Sequence, residues 1–317
     1  MRWVTFRTAR DQRSGVVVDD TIHALPPGES LLGHLRAGTL ATELEDVQSV
    51  SAETFALADV HLMAPIPRPP SMRDCLCYLQ HMRNCLRARG VPDELPDVWY
   101  EIPAFYFAGP ASVIGPYDDV AIAPGSARFD FELEIAAVIG RAGRDLTPEQ
   151  AHESIAGYTI YCDWSARDLQ ALDRALGIGQ AKGKDAATTL GPFLVTPDEL
   201  PAHAFDAPFD VAVEASVNGR RIGAGRTGKM DWTYAEVISY ASRGVTLEPG
   251  DVIASGTVPT CTLIEHFDAT DPASEDFPGW LAPGDVVELV VEGLGATRQR
   301  VVPGVDPHPM LTRPRVP

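Results

Sequence analysis

The sequence predicts an α+β fold rich in strands, divided into a small N-terminal α/β domain (residues 1–64), a Pro-rich linker (65–72) and a larger domain (73–317). Three observations predict this. Pro65-Ile66-Pro67-Arg68-Pro69-Pro70 is stiff and extended, which marks a boundary. Beyond Ile102, β-branched and alternating runs outnumber helical ones. Turn signals such as Asn218-Gly219 and Pro283-Gly284-Asp285 separate those runs.

Taken in order, Trp3-Val4-Thr5-Phe6 and Gly15-Val16-Val17-Val18 read as strands, and Ser30 to Arg36 as a short helix. Arg73 to Arg89 has helical spacing, with Leu76, Leu79, Met82 and Leu86 on one side; Gly90 and Pro92 stop it. Thr147-Pro148-Glu149-Gln150 is a helix start, with Thr as N-cap, Pro at N1 and Gln completing a capping box. Gly157 closes that helix, and Tyr158-Thr159-Ile160-Tyr161-Cys162 forms a further strand that delivers Asp163 at its end.

The most informative run is Phe129-Asp130-Phe131-Glu132-Leu133-Glu134-Ile135-Ala136-Ala137-Val138-Ile139. Side chains alternate along a strand, so Asp130, Glu132 and Glu134 share one face. Past Glu134 both faces are apolar, as on entry into a core. Carboxylates pointing there repel each other and lose hydration, and a divalent cation held by oxygen ligands answers both costs. The alternative is a half-exposed edge strand with a solvated acidic face. Asp163 is placed to act as a further ligand, or as a plain N-cap. Arg167, one helical turn on, pairs with Asp163 or with a substrate oxygen, unless it forms only a surface ion pair.

Composition narrows the partners. The 317 residues carry 26 Lys and Arg against 44 Asp and Glu, a net charge of −18. Such a chain is a poor partner for nucleic acid or an anionic membrane. No 18-residue apolar stretch occurs, and the start lacks a signal-peptide core, so a cytoplasmic location is expected. The five cysteines (Cys75, Cys77, Cys85, Cys162, Cys261) lack zinc-site spacing and read as reduced thiols.

Several motifs, in this order, carry a resemblance. Asp130-Phe131-Glu132-Leu133-Glu134 is followed by Asp163-Trp164-Ser165-Ala166-Arg167-Asp168-Leu169-Gln170 and Lys182-Gly183-Lys184-Asp185. Gly191-Pro192, Val217-Asn218-Gly219 and Gly250-Asp251-Val252-Ile253-Ala254-Ser255-Gly256-Thr257 come after. From about Asp74 to about Gly304 the chain resembles the fumarylacetoacetate hydrolase (FAH) family. The resemblance implies that family's mixed β-roll around a central site and a homodimer.

It also implies roles. Glu132, Glu134, Asp163 and Asp74 would hold Mg²⁺, or alternatively Mn²⁺ or Ca²⁺. His81, seven residues after Asp74, matches the family's catalytic histidine, and Glu265 its orienting carboxylate. A histidine with an ordinary pKa near 6.5 suits proton abstraction from water. Lys184, Gln170 and Thr257 match polar groups around the reacting carbonyl, with Arg167 nearby; Tyr106 and Thr188 would touch substrate. Lys182 beside Lys184 places two like charges together, which depresses the pKa of either.

Two departures bear on the reaction. Asn84 stands where family decarboxylases commonly carry a glutamate, which favours hydrolysis. Phe105 to Ser112 lacks the Lys or Arg that many members use to grip a substrate carboxylate, so Arg87, Arg89 or Arg167 takes over or the substrate is less anionic. The expected activity is metal-dependent cleavage of a C–C bond in a 1,3-dicarbonyl compound, an acylpyruvate or fumarylacetoacetate-like diketone or oxo acid. The alternatives are a 2-oxo acid decarboxylase, hydratase or isomerase on the same site.

Overall fold

The structure, a computed structural model, describes residues 1–40, 51, 53–177, 179–272, 274 and 277–308. Its frame is a 12-stranded mixed sheet. The main path runs Glu53–Ala56, Thr21–Ala24, Gln12–Val18, Arg2–Arg7, Thr188–Val195, Ile155–Asp163, Leu133–Ile139, Val252–Ala254, Met72–Cys75 and Phe105–Ala108. A second sheet of five strands packs alongside, built on the hairpin Ala212–Val217/Arg220–Arg226. Its turn is Asn218-Gly219, both with positive φ (53° and 76°), as the dipeptide predicts.

The N-terminal runs fold as read from the sequence. Arg2–Arg7 and Gln12–Val18 pair antiparallel. The helix Leu31–Ala37 begins at Ser30, whose side chain accepts from the Gly33 N–H. These strands share the main sheet, since Arg2 and Trp3 pair with Val195 and Leu194.

The acidic strand is not an edge. Leu133–Ile139 pairs with Ile155–Asp163 on one side and Val252–Ala254 on the other, and all seven residues are buried. That excludes the solvated alternative.

Two expectations need correction. The helix over Arg73–Arg89 is a strand, Met72–Cys75, followed by a helix, Leu79–Ala88. Pairing with Val252–Ala254 and Phe105–Ala108 buries Met72 to Cys75 on all sides and overrides the local helical spacing. Asp74 is therefore set by the sheet and His81 by a helix above it. Second, Gly157 does not close a helix. Pro148–Glu153 has its expected capping box but ends at Ser154, and Gly157 lies inside Ile155–Asp163. A Cβ there would stand 2.5 Å from the Val195 carbonyl oxygen, so the glycine serves close strand approach.

Among the described residues no helix is long and apolar enough to cross a membrane. Gly157→Ala is expected to destabilise the fold by about 1–3 kcal/mol through backbone overpacking, read as a lower denaturation midpoint at unchanged m-value.

Candidate active site

Five acidic residues converge in the interior: Asp74, Asp130, Glu132, Glu134 and Asp163 are each 5% exposed or less. Asp74, Glu134 and Asp163 each offer one oxygen, and these lie within 4.8 Å of one another. The sheet makes this possible. Asp74 and Ala254 are register partners, as are Ala254 and Ala136, while Glu134 faces Tyr161 two residues before Asp163.

The cluster is electrostatically costly. Burial raises the pKa of all three carboxyls; repulsion from neighbouring carboxylates adds to this at Glu134 and Asp163, whereas at Asp74 Lys184 and hydrogen bonds with Glu134 and Tyr106 offset part of it. Asp163 Oδ1 is buried without a hydrogen-bond partner. An orphaned carboxylate oxygen beside two other carboxylates is what a hard divalent cation would satisfy, and an all-oxygen donor set suits Mg²⁺, Mn²⁺ or Ca²⁺. The Tyr106 hydroxyl lies 2.7 Å from an Asp74 oxygen and 2.5 Å from an Asp163 oxygen, donating its one proton to one of them, so it braces the cluster.

Glu132 stands beside this trio. Its carboxylate meets Arg167 at 2.8 Å and Lys184, and lies 3.8 Å from His81 Nε2. Despite burial, Arg167 and Lys184 hold its pKa well below the carboxylate range. Lys184 Nζ also reaches Asp163. Burial lowers the Lys184 pKa, but Asp163 and Glu132 outweigh it and raise it. Lys182 does not depress it, because that side chain points to solvent and pairs with Asp185. Gly183 lets this loop reach the site: a Cβ would stand 2.6 Å from Gln170 Cα.

Arg167 pairs with Asp130 (2.7 Å) and Glu132 (2.8 Å) rather than with Asp163, a correction to the expected pairing. Asp130 is tied down further by the N–H groups of Leu263 and Ile264 at 2.8 and 3.0 Å. That carboxylate therefore anchors the segment carrying Glu265. Glu134 accepts from the Gly256 N–H at 2.9 Å and from the Thr257 hydroxyl at 3.4 Å. Gly256 is obligatory there, with φ 78° and Cys75 O 2.3 Å from a notional Cβ.

His81 Nδ1 meets Glu265 Oε1 at 2.6 Å. Burial disfavours the imidazolium, but Cys85 and the Glu265 carboxylate outweigh it and raise the His81 pKa well above its ordinary value. Glu265 sits on a short helical turn, Ile264–His266, rather than a strand, and its side chain is 1% exposed. Its other oxygen accepts from the Thr260 N–H at 2.9 Å and from Asn84 Nδ2. Thr260 adopts φ 73°, unfavourable for a β-branched residue by roughly 1–3 kcal/mol. That conformation aims its N–H at Glu265.

One cleft is lined by Asp74, Tyr106, His81, Lys184, Gln170 and Thr257, with Glu132, Glu134 and Arg167 at its floor. Thr188 is fully buried on Thr188–Val195, its hydroxyl unpartnered, and does not line the cleft. Sequence reasoning saw Asn84 only as a missing carboxylate. It also missed Cys85, whose sulfur is 3.6 Å from His81 Nε2, and Arg174 at the cleft mouth. Spacings of three and four from His81, and of four from Gln170, are the signal that could have found them.

A buried carboxylate cluster beside a histidine–glutamate pair on a mixed sheet has a known counterpart. Residues 71–302 match the family described as "Fumarylacetoacetate (FAA) hydrolase C-terminal", and 1–65 match "Rv2993c-like, N-terminal". The chain belongs to the fumarylacetoacetate hydrolase family. It is 31% identical over 245 residues to the human mitochondrial oxaloacetate tautomerase FAHD2A, covering 77% of this chain and 70% of that one. It is 34% identical to the 2,4-didehydro-3-deoxy-L-rhamnonate hydrolase of Sphingomonas sp. (strain SKA58), covering 63% of this chain and 65% of that one, just under two thirds. The fold is similar to that of the fumarylacetoacetate hydrolase from Exiguobacterium antarcticum (TM-score 0.74, 30% identity, 96% of this chain and 100% of that one). The family thus includes hydrolases and tautomerases.

Two outcomes are expected. Adding Mg²⁺ or Mn²⁺ in large excess should raise the melting temperature by several degrees, and Glu134→Gln with Asp163→Asn should remove that shift; an undiminished shift in the double variant would place the ion elsewhere. Arg167→Met should cost about 3–5 kcal/mol by leaving Asp130 and Glu132 buried without a counter-charge, measured by chemical denaturation.

Proposed function

We propose that the protein is a divalent-metal-dependent hydrolase that cleaves a C–C bond in a 1,3-dicarbonyl oxo acid or diketone. The observation that carries this reading is the His81–Glu265 pair at 2.6 Å, with His81 Nε2 turned to a cleft floored by the carboxylate cluster. Asp74, Glu134 and Asp163, with Glu132 adjoining, would hold Mg²⁺ or alternatively Mn²⁺ or Ca²⁺. When bound, such an ion supplies a fixed double positive charge for the negative charge that develops on the dicarbonyl oxygens.

His81 donates Nδ1–H to Glu265, which leaves Nε2 as the proton acceptor. Asn84 and the Thr260 N–H hold Glu265 so that this tautomer is fixed. Nε2 takes a proton from water, and the Glu265 carboxylate stabilises the imidazolium that forms. The hydroxide adds to one carbonyl carbon. Lys184, Gln170 and Thr257 offer a cation and hydrogen-bond donors to the resulting oxyanion, each such donor being worth about 10²–10³ in rate. Collapse breaks the C–C bond, and the electron pair passes to the carbon between the former carbonyls. His81 returns its proton to that carbon. Arg167 and Tyr106 position Glu132, Asp74 and Asp163.

A second reading, keto–enol tautomerisation of a 2-oxo acid, is favoured by the likeness to the oxaloacetate tautomerase over 77% of this chain. It needs proton transfer but no water addition. Turnover of an acylpyruvate in ¹⁸O-water separates the two. Hydrolysis places one ¹⁸O in the newly formed carboxylate, and His81→Ala lowers kcat by about 10²–10⁴. Interconversion of tautomers with no cleavage product would overturn the hydrolase reading.

A further inference from the structure

Glu265 fixes the ring of His81 but not the helix that carries it. That helix, Leu79–Ala88, is lightly held by packing: of its ten residues only His81 and Ala88 are buried. Its placement therefore depends on what grips its two ends. At the far end the Ala88 carbonyl accepts from the Ala269 N–H at 2.9 Å. At the near end the N-cap residue is Tyr78, whose side chain makes no capping bond. The first N–H groups of a helix have no partner within it, so a start without a cap frays. His81 lies in that first turn.

Asp231 supplies the missing cap from a distant segment. Its Oδ2 accepts from the Leu79 N–H at 2.8 Å. Its own N–H donates to the Cys77 carbonyl at 2.8 Å, where the Trp232 N–H joins it at 3.3 Å. The Tyr78 hydroxyl reaches the other way and donates to the Thr227 carbonyl at 3.3 Å. The two segments thus clasp each other around the helix start, with a carboxylate at the positive end of the helix dipole.

The clasp has a firm base. Two residues beyond Asp231, Thr233 opens the helix Tyr234–Ala241 with a complete capping box to Glu236. Tyr234 donates its hydroxyl to the Ile135 carbonyl at 2.8 Å, on the strand that carries Glu134. One route of bonds therefore runs from the carboxylate floor through Tyr234 and Asp231 to the backbone of His81. A separate route runs through Asp130 and Glu265 to its ring. Asp231 itself is exposed and does not line the cleft, so no contact with a substrate accounts for it.

We infer that Asp231 is a positioning residue for His81: by capping Leu79–Ala88 from another segment, it sets where the imidazole stands against Glu265 and the cleft. The inference rests on the reading of His81 as the base that activates water.

The test compares Asp231→Ala with Asp231→Asn in the full chain. Asparagine keeps an oxygen that caps as well as aspartate does, and alanine has none. The side chain is exposed, so both variants are expected to fold, and circular dichroism checks it. Two readouts follow His81: the low-field proton resonance of its Nδ1–H on Glu265, and Mg²⁺-dependent turnover of acetylpyruvate. Asp231→Ala should broaden or remove the resonance. It should also lower kcat by about tenfold to 10²-fold with KM changed less than about twofold, as for a reacting group slightly misplaced. Asp231→Asn should keep the resonance and most of kcat. An unchanged resonance or kcat in Asp231→Ala, or an equal loss in both variants, overturns the inference, as does a wild type without the resonance. A wild type that shows the resonance but cleaves no acetylpyruvate counts against the hydrolase reading instead, and the resonance in the two variants then decides the role of Asp231.

Discussion

The repulsion among buried carboxylates governs this molecule. Asp74, Asp130, Glu132, Glu134 and Asp163 are all withdrawn from water, and Glu265 points inward beside them. Arg167 and Lys184 are the fixed cations set against them. That leaves Asp74 and Glu134 facing each other without a fixed cation of their own. A charged pair taken out of water is stable only where its geometry and hydrogen bonds compensate desolvation. Here the compensation is divided: Arg167 neutralises the Asp130–Glu132 end, and the Asp74–Glu134–Asp163 end has the orphaned oxygen that invites a dication.

The fold exists to hold that division. Four adjacent strands, with Val252–Ala254 between those of Glu134 and Asp74, bring Asp74, Glu134 and Asp163 together from positions far apart in sequence. Asp130 reaches across to the Leu263 and Ile264 N–H groups, which fixes the turn carrying Glu265. Glu265 then orients His81 from a helix on the opposite wall. A single carboxylate thus links the floor of the cleft to its base pair. The strain at Thr260 belongs to the same chain of contacts, since its left-handed backbone supplies the N–H that Glu265 accepts.

Much of this is legible in the sequence where local chemistry dominates. The capping box at Thr147, the Asn218-Gly219 turn and the alternation of Asp130, Glu132 and Glu134 all act over a few residues. Met72 to Cys75 was not legible, because spacing within one segment cannot report pairing with Phe105–Ala108 or with Val252–Ala254, the latter more than 100 residues away. Gly157 misled for a related reason: a glycine that ends a helix and one that admits a neighbouring strand look alike in one dimension. The partner of Arg167 depended on which of two acids, Asp130 or Asp163, the sheet register brings nearer. Lys182 and Lys184 are two residues apart and chemically identical, yet one faces solvent and the other lies under the site. Only the close packing of Gly183 on the helix of Gln170 separates them.

The central claim is that the interior negative charge is balanced by one dication at Asp74, Glu134 and Asp163. Anomalous diffraction at the manganese edge, from crystals grown with Mn²⁺, tests it most directly. The account predicts a single strong peak bounded by those three side chains in each chain. A cluster without a peak in crystals that hold manganese elsewhere would contradict it.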